Sequence, residues 1–314
     1  MGRQMRAAAG FGLIALSAAV APGQQSDRDY TFQVEVNEVT LPFRASAGDG
    51  RPVADLHVSD LYLTDNREAP RKILSFAHLT DQPIRIGLLL DASASISSDS
   101  LYLSQDTASM FAREFLRPTT DDVFVSWFDF NQKSLTAWTN HPPTIESAIS
   151  TIGGDRRSRM GGTAIYDALY RGIHDEIAQQ TVAGRNSNAI VLFSDGDDNA
   201  SHARLDDVID ICQRTSTAIY VFSSNPESRF DEGEKTLRQL AAQSGGRVFF
   251  DRDTSAIRDN LGAIEQELRD YYLIVYRPAK LRANGAFHHI RLQSLRQDVE
   301  IRARIGYYAP APSH

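Results

Sequence analysis

The sequence predicts an α/β fold in which a doubly wound, mostly parallel sheet is inserted into a smaller β-sandwich. Apolar strand-like runs alternate with helix-like segments over residues 84–270, a pattern typical of parallel sheets with right-handed crossovers. Strand-like runs broken by turn signals lie on both sides, in residues 28–80 and 271–309. Neither flank has enough strands for a sandwich of its own. We therefore expect the two flanks to pair with each other.

Residues 1–23 have the pattern of a signal peptide. Arg3 and Arg6 give a positive start, residues 7–20 are apolar and small, and residues 19–21 offer a small-residue cleavage pattern. The alternative is an uncleaved membrane anchor, but the apolar run is shorter than the roughly 20 residues that cross a bilayer. We expect a secreted or periplasmic protein that is not embedded in a membrane.

The N-terminal flank contains strand-like runs separated by turn candidates. Asp65-Asn66 and the Gly-Asp-Gly segment at residues 48–50 are the turn candidates. The predicted strands of this flank are residues 31–36, 39–43, 61–64 and 72–76.

The central region alternates buried strands with helices. Pro118 ends the first helix, and Gly245-Gly246 ends the fifth. The predicted strands are residues 84–90, 122–130, 189–193, 218–222 and 248–250, with a short edge strand at 135–138. The predicted helices are residues 100–116, 144–152, 163–177, 205–214, 235–244 and 255–270.

The C-terminal flank predicts three further strands, at residues 272–276, 289–293 and 299–305. In the last of these, Val299, Ile301, Ala303 and Ile305 alternate with polar residues, so that they share one face. This flank supplies the strands that we expect to complete the sandwich.

Composition narrows the classes of function. The chain has 314 residues, of which 42% are hydrophobic and 23% charged, as in ordinary globular proteins. The net charge of −7 and the absence of a basic stripe argue against a nucleic-acid partner. Cys212 is the only cysteine, which excludes an internal disulfide, and it lies on the apolar side of a predicted helix. We expect it to be a core residue.

Three oxygen-bearing segments follow predicted strands or begin helices. Asp91, Ser93 and Ser95 come after the first apolar strand, Thr163 follows two glycines, and Asp195 ends another apolar strand. Taken one at a time, these residues are also typical of helix caps and turns. Because the carboxyl ends of parallel strands share one edge of a sheet, the three segments can converge there. Carboxylate and hydroxyl oxygens suit a hard cation such as Mg²⁺.

In order and in residue type, Asp91, Ser93, Ser95, Thr163 and Asp195 resemble the metal-ion-dependent adhesion site of von Willebrand factor A domains. The resemblance implies that Ser93, Ser95 and Thr163 coordinate a divalent cation, with Asp91 and Asp195 acting mainly through waters and hydrogen bonds. It implies Mg²⁺, or Mn²⁺ or Ca²⁺, with an open position for a carboxylate of a protein partner.

The flanking segments resemble a bacterial subgroup of this family, the von Willebrand factor A-related proteins of acidobacterial type. This likeness rests on the segments at residues 50–53 and 304–307, Gly-Arg-Pro-Val and Arg-Ile-Gly-Tyr. One departure is Ala94, where many members of the family carry Gly. Ala94 supplies no ligand, so the departure leaves metal binding unaffected.

Three further acidic residues lie close to these segments in sequence. We interpret Asp197 and Asp198 as solvated loop residues. Asp167 lies one helical turn after Thr163. It either supports the site or is a carboxylate that the helix dipole favours at the start of a helix.

The leading functional hypothesis is an exported protein-binding module for adhesion or assembly, not an enzyme. One alternative is a metal-dependent hydrolase. However, the chain has no Gly-x-Ser-x-Gly elbow, no His-Glu-x-x-His pair and no P-loop. His288 and His289 are adjacent on a predicted strand, so they point to opposite faces. We therefore expect no small-molecule substrate. The other alternative is a scaffold whose site is structural or empty.

Overall fold

The computed structural model describes residues 38–48, 50–153, 162–180, 187–225, 231–282 and 284–310. The predicted signal peptide, the predicted strand at residues 31–36 and Gly161 lie outside the described residues. The division of the chain into segments 1–23, 28–80, 84–270 and 271–309 remains a prediction.

Strands and helices account for most of the described chain. The strands are β1 (Val39–Ala47), β2 (Leu61–Asp65), β3 (Lys72–Leu79), β4 (Ile84–Asp91), β5 (Asp122–Phe128), β6 (Gln132–Ser134), β7 (Ser187–Ser194), β8 (Thr217–Ser223), β9 (Val248–Phe249), β10 (Tyr271–Arg277), β11 (Phe287–Ser294), β12 (Val299–Ala303) and β13 (Gly306–Tyr308). The helices are α1 (Ser98–Glu114), α2 (Pro142–Ser150), α3 (Ile165–Arg171), α4 (Leu205–Thr215), α5 (Glu232–Ser244) and α6 (Thr254–Arg269).

The central sheet has the strand order β6-β5-β4-β7-β8-β9, and β6 is its antiparallel edge strand. All eight residues of β4 are buried, because helices cover both faces of the sheet. Helices α1, α2 and α6 pack on one face. Helices α3, α4 and α5 pack on the other, where Cys212 of α4 lies in the core, as predicted.

Strands from the two flanks pair with each other. One sheet has the order β12-β1-β10-β3 and the other the order β13-β11-β2. Residues of β1 pair directly with residues of β10, for example Leu41 with Ile274. The two sheets share a core that includes Phe43 and Tyr272, whose rings stack at 5.3 Å. The predicted fold class, a doubly wound sheet inserted into a sandwich of both flanks, is confirmed.

Helix α6, the last before the second flank, is held by ion pairs, of which the pair of Arg269 and Asp121 is buried. Arg269 donates to Asp121 at 2.6 Å, and both side chains are almost inaccessible. Glu267 contacts Arg302 of β12 and lies 2.7 Å from Arg247. These contacts link the central sheet to the sandwich through one helix.

The structure departs from the predicted elements at several places. The helix predicted over residues 163–177 consists of α3 followed by a π-helical segment, Gly172–Ile177. The short edge strand is β6 rather than residues 135–138. Ile305 is 43% exposed and does not continue the buried face of β12. At this point Arg304 is buried and donates to the carbonyls of Thr40 and Gln213, so the strand is interrupted.

Candidate metal-binding site

The predicted site lies where the order of the central sheet reverses. Asp91 is the last residue of β4, and Asp195 directly follows the neighbouring strand β7. The helices that follow these strands, α1 and α4, pack on opposite faces. In α/β sheets such a reversal opens a crevice beyond the carboxyl ends of the strands, and ligands bind there.

The carboxylate of Asp91 is buried and held in a fixed orientation. One oxygen accepts a hydrogen bond from the backbone N–H of Ser93 at 2.9 Å, and the other accepts one from the hydroxyl of Ser194 at 2.7 Å. Burial and, to a smaller extent, the charge of Asp195 together raise the pKa of Asp91 to about 7, against the lowering effect of its hydrogen bonds. A cation at this edge would relieve the cost of the buried negative charge.

Ser93 and Ser95 bring two hydroxyl oxygens together. Their Oγ atoms lie 3.0 Å apart. Two neighbouring ligands at an octahedral Mg²⁺ ion are separated by about 2.9 Å, because each ligand oxygen is roughly 2.0–2.1 Å from the metal. Neither serine caps the following helix, since the side chain of Ser97 caps α1 by accepting from the N–H of Ser100. The pair is therefore suited to binding one cation.

Thr163 does not cap α3. The amide of Tyr166 instead donates to Asp198, and the amide of Asp167 donates to the hydroxyl of Ser201. Thr163 is held through its backbone, because its N–H donates to the side chain of Asn199 at 2.8 Å. This segment is therefore joined to the loop that follows Asp195.

The end of β5 and the residue that follows it hold two of the predicted segments side by side. The carbonyl of Phe128 accepts from the N–H of Ala92, and the carbonyl of Asp129 accepts from the N–H of Ala164, both at 2.8 Å. Ala92 follows Asp91, and Ala164 follows Thr163. The consecutive carbonyl groups of Phe128 and Asp129 thus bring together the segments that carry Asp91 and Thr163.

Gly196 allows α5 to approach the loop that carries Asp195. Its φ of +90° is a conformation that glycine favours. A Cβ atom at this position would lie 2.1 Å from the carbonyl oxygen of Gly233 in α5. The N–H of Gly196 also donates to Ser194, which in turn donates to Asp91. Ser194 thus links the segments that carry Asp91 and Asp195.

The neighbouring acidic residues have different roles. Asp197 is exposed, as predicted, and partial burial and the charges of Asp195 and Asp231 raise its pKa. The predicted role of Asp198 as a solvated loop residue is wrong, because its carboxylate accepts a hydrogen bond from the amide of Tyr166 in α3. Asp167 fastens a loop by accepting from the backbone N–H groups of residues 202 and 203.

Sequence reasoning missed the residues that hold the site together, namely Ser194, Asn199 and Asp129. Ser194 was the most visible of them, since it is a polar residue at the end of an apolar strand, directly before Asp195. Nothing in the sequence indicates that Asp129 and Asn199 contact the segment around Thr163.

The oxygen donors of the site fit a hard cation. Within the described ranges, no group of three or more His, Cys, Asp and Glu side chains could hold a metal ion. The oxygen donors that the predicted site offers are the hydroxyls of Ser93, Ser95 and Thr163 and the carboxylates of Asp91 and Asp195. These fit Mg²⁺, Mn²⁺ or Ca²⁺ better than they fit softer metals.

Comparisons with known sequences identify one family. The sequence model of the von Willebrand factor type A domain matches residues 86–263. No curated protein matches the chain.

Several solved structures are similar to part of the chain at low sequence identity. BatB from Bacteroides thetaiotaomicron is 17% identical with a TM-score of 0.46, covering 59% of this chain and 98% of its own. Proximal thread matrix protein 1 from the mussel byssus, with a zinc-occupied metal-ion-dependent adhesion site, is 16% identical with a TM-score of 0.49, covering 64% and 50%. Both TM-scores lie below 0.5.

Proposed function

The chain belongs to the von Willebrand factor type A domain family, and from this premise we propose that it captures a protein partner through a divalent cation. Domains of this family are in general protein-interaction modules. The proposed ligand set is Asp91, Ser93, Ser95, Thr163 and Asp195. The proposed cation is Mg²⁺, with Mn²⁺ or Ca²⁺ as substitutes.

One observation carries the proposal, namely the 3.0 Å separation of the Ser93 and Ser95 hydroxyl oxygens beside the buried carboxylate of Asp91. Among the described residues, no ion pair joins Asp91 to a basic side chain. A cation would supply the missing positive charge.

The residues of the chain have separable tasks in this function. Ser93, Ser95 and Thr163 present hydroxyl oxygens, and Ser194 fixes the orientation of Asp91. Asn199 and Asp129 hold the segment around Thr163 in place. A bound cation would offer an exchangeable coordination position to a carboxylate of the partner.

We propose that the protein is exported and that it is not an enzyme. Within the described part of the chain, no helix has the length and apolar character needed to cross a bilayer. A screen of phosphate and carboxylic ester substrates with Mg²⁺ and Mn²⁺ tests the second point. We expect no turnover, and turnover that Ser93→Ala abolishes would establish a hydrolase instead.

Thermal melting with and without MgCl₂ tests metal binding directly. A cation that binds only the folded state stabilises it by about 2.7 kcal/mol at a concentration 100 times its Kd. We expect the melting temperature to rise by about 5 °C over that in EDTA. The double variant Ser93→Ala, Ser95→Ala should lose this rise, and Ser150→Ala, a change on the exposed end of α2, should keep it. Equal rises in both variants, or none in the native chain, would refute the proposal.

A further inference from the structure

A second surface with the character of a binding site lies at the opposite edge of the central sheet. It is an open groove of about 550 Å³ between α5, residues 246–248 and strands β11 and β12. Arg247 lies at the amino end of β9, whereas Asp91 lies at the carboxyl end of β4. Because β4 and β9 run in the same direction, these two ends lie at opposite edges of the sheet. The groove is therefore distinct from the candidate metal site.

The groove is basic, although the chain as a whole is acidic. Its lining contains five arginines and no aspartate or glutamate, in a chain of net charge −7. The arginines are Arg238, Arg247, Arg291, Arg302 and Arg304. A concave surface of one charge sign concentrates oppositely charged ligands.

Nearby acidic residues compensate only part of this charge. Arg238 pairs with Glu234 at 2.5 Å, while Arg247 and Arg302 share Glu267. Five guanidinium groups therefore face two carboxylates.

The other two arginines have neutral partners among the described residues. Arg291 donates to Gln293 at 3.0 Å, and Arg304 donates to backbone carbonyl groups. Arg304 is buried beneath the groove. It adds positive charge there and leaves contact with a ligand to the other arginines.

Two of the exposed arginines are held in defined positions. The guanidinium group of Arg238 lies over the ring of Phe250 at 4.9 Å, and that of Arg247 lies over the ring of Phe249 at 6.0 Å. These contacts reduce the conformational entropy that an arginine loses when it binds an anion.

The groove also has an apolar component. Val248, Leu292, Ile301 and Ile305 line it between the arginines, and Ile305 is 43% exposed. A free inorganic anion would leave these side chains in water. A peptide that carries both acidic and apolar side chains would cover them while it neutralises the arginines.

We propose that this groove binds an acidic peptide segment of a partner protein, with its carboxylates on the exposed arginines and its apolar side chains on the isoleucine and leucine residues between them. Charge complementarity selects this occupant. The proposal does not rest on metal binding, so it can fail or hold independently of the proposed function.

Fluorescence anisotropy with a labelled synthetic peptide tests this assignment. The probe is a short peptide in which Glu and Leu alternate, and the matched control carries Gln in place of every Glu. Titrations are done with the full chain in EDTA, which removes any binding to a cation. We expect the acidic peptide to bind about tenfold more tightly than the control, and its affinity to fall as salt is added.

The double variant Arg247→Gln, Arg291→Gln should weaken binding of the acidic peptide by about tenfold or more. Arg291 has no acidic partner among the described residues, so its replacement leaves no carboxylate of the protein without an ion-pair partner. The single variant Arg291→Glu should therefore also weaken binding of the acidic peptide. Arg113→Gln, which removes one positive charge from an exposed ion pair on α1, should leave binding unchanged. The assignment is overturned if the Gln peptide binds equally well, if binding requires Mg²⁺, or if Arg113→Gln weakens it as much.

Discussion

Two buried aspartates occupy equivalent positions in the two parts of the molecule. Asp91 is the last residue of β4 in the central sheet, and Asp65 is the last residue of β2 in the sandwich. Asp65 accepts hydrogen bonds from the hydroxyls of Tyr276 and Tyr307 at 2.9 and 2.8 Å, and His288 Nδ1 lies 2.6 Å from its other oxygen. Asp91 accepts from one backbone N–H and one serine hydroxyl.

The two carboxylates differ in how well the surrounding protein stabilises their negative charge. Three side chains surround that of Asp65, whereas one N–H and one hydroxyl donate to that of Asp91. Burial and the charge of Asp65 raise the pKa of Tyr276 well above its usual range, so that this residue remains a hydrogen-bond donor. Burial raises the pKa of Asp91 to about 7, because no group of comparable strength stabilises its charge. The first aspartate fastens the two flanks together, and the second lies where a cation can complete its surroundings.

The largest expected effect is on the sandwich. Asp65→Ala should lower the free energy of unfolding by about 4 kcal/mol, because two tyrosine hydroxyls and a histidine lose a charged acceptor in the core. Urea denaturation measures the loss. Asp259→Ala, at an exposed position of α6, should change the value by less than about 0.5 kcal/mol. A loss below about 1 kcal/mol for Asp65→Ala would mean that the cluster does not stabilise the sandwich.

A third buried aspartate, Asp121, extends the comparison of Asp65 and Asp91, because its carboxylate pairs with the positively charged side chain of Arg269. Burial acts to raise its pKa, but the hydrogen bonds and charge of Arg269 hold the pKa below the ordinary value of 3.8. Asp121→Asn should cost about 3 kcal/mol at pH 7, since Arg269 then lies buried without a counter-ion.

This contribution should depend on pH in a defined direction. Since the pKa of Asp121 is lower in the folded state, its stabilisation is present above about pH 3.8 and is lost as pH falls through the folded pKa. Urea denaturation of both proteins at a series of pH values should show the gap closing in acid. A gap of constant size would contradict the assignment.

In EDTA, Asp91→Asn should not share the large loss of stability expected for Asp65→Ala. In EDTA we expect the free energy of unfolding to stay within about 1 kcal/mol of the native value or to rise, because the variant removes a buried charge that has no cation. In MgCl₂ the variant should lose the stabilisation that the native chain gains. A loss of several kcal/mol in EDTA would place Asp91 in the same class as Asp65.

The smallest expected effect concerns Thr163. Thr163→Val should change stability in EDTA by less than about 0.5 kcal/mol, because Asp198 and Ser201 bind the first amides of α3. Asp198→Ala, which removes one of those acceptors, should cost about 1 kcal/mol. Thermal melts of the two variants decide the point, and equal losses would mean that Thr163 caps the helix after all.

Much of the fold follows from sequence patterns that are local. The buried run at residues 84–90 predicts β4 directly. The spacing of Ile165, Leu169, Ile173 and Ile177 predicts one helix with a face toward the core, and the structure keeps that face but divides the helix into α3 and a π-helical segment. The pairing of the flanks was predictable because neither could form a sandwich alone. The five predicted site residues also follow from local patterns, since each lies beside a strand end or a helix start.

What sequence could not give are contacts between residues far apart in the chain. The cluster of Asp65 with Tyr276, Tyr307 and His288 joins positions more than 200 residues apart. The buried pair of Arg269 and Asp121 joins two different helix–strand units. In the sequence, such polar residues cannot be told from ordinary surface residues. The partner that allows each of them to be buried lies in a distant part of the chain.

The insertion of the central sheet between the two flanks sets an order for synthesis. Tyr272 donates a hydrogen bond to the carbonyl of Val53, which the ribosome adds to the chain 219 residues earlier. During synthesis, β1, β2 and β3 therefore lack their partner strands until the inserted region has been translated. That region has its own core and its contacts are closer in sequence, so it can fold first. Until β10 and the later strands have been translated, the edges of β1, β2 and β3 are exposed and can pair wrongly. A chaperone would protect the chain most during this interval.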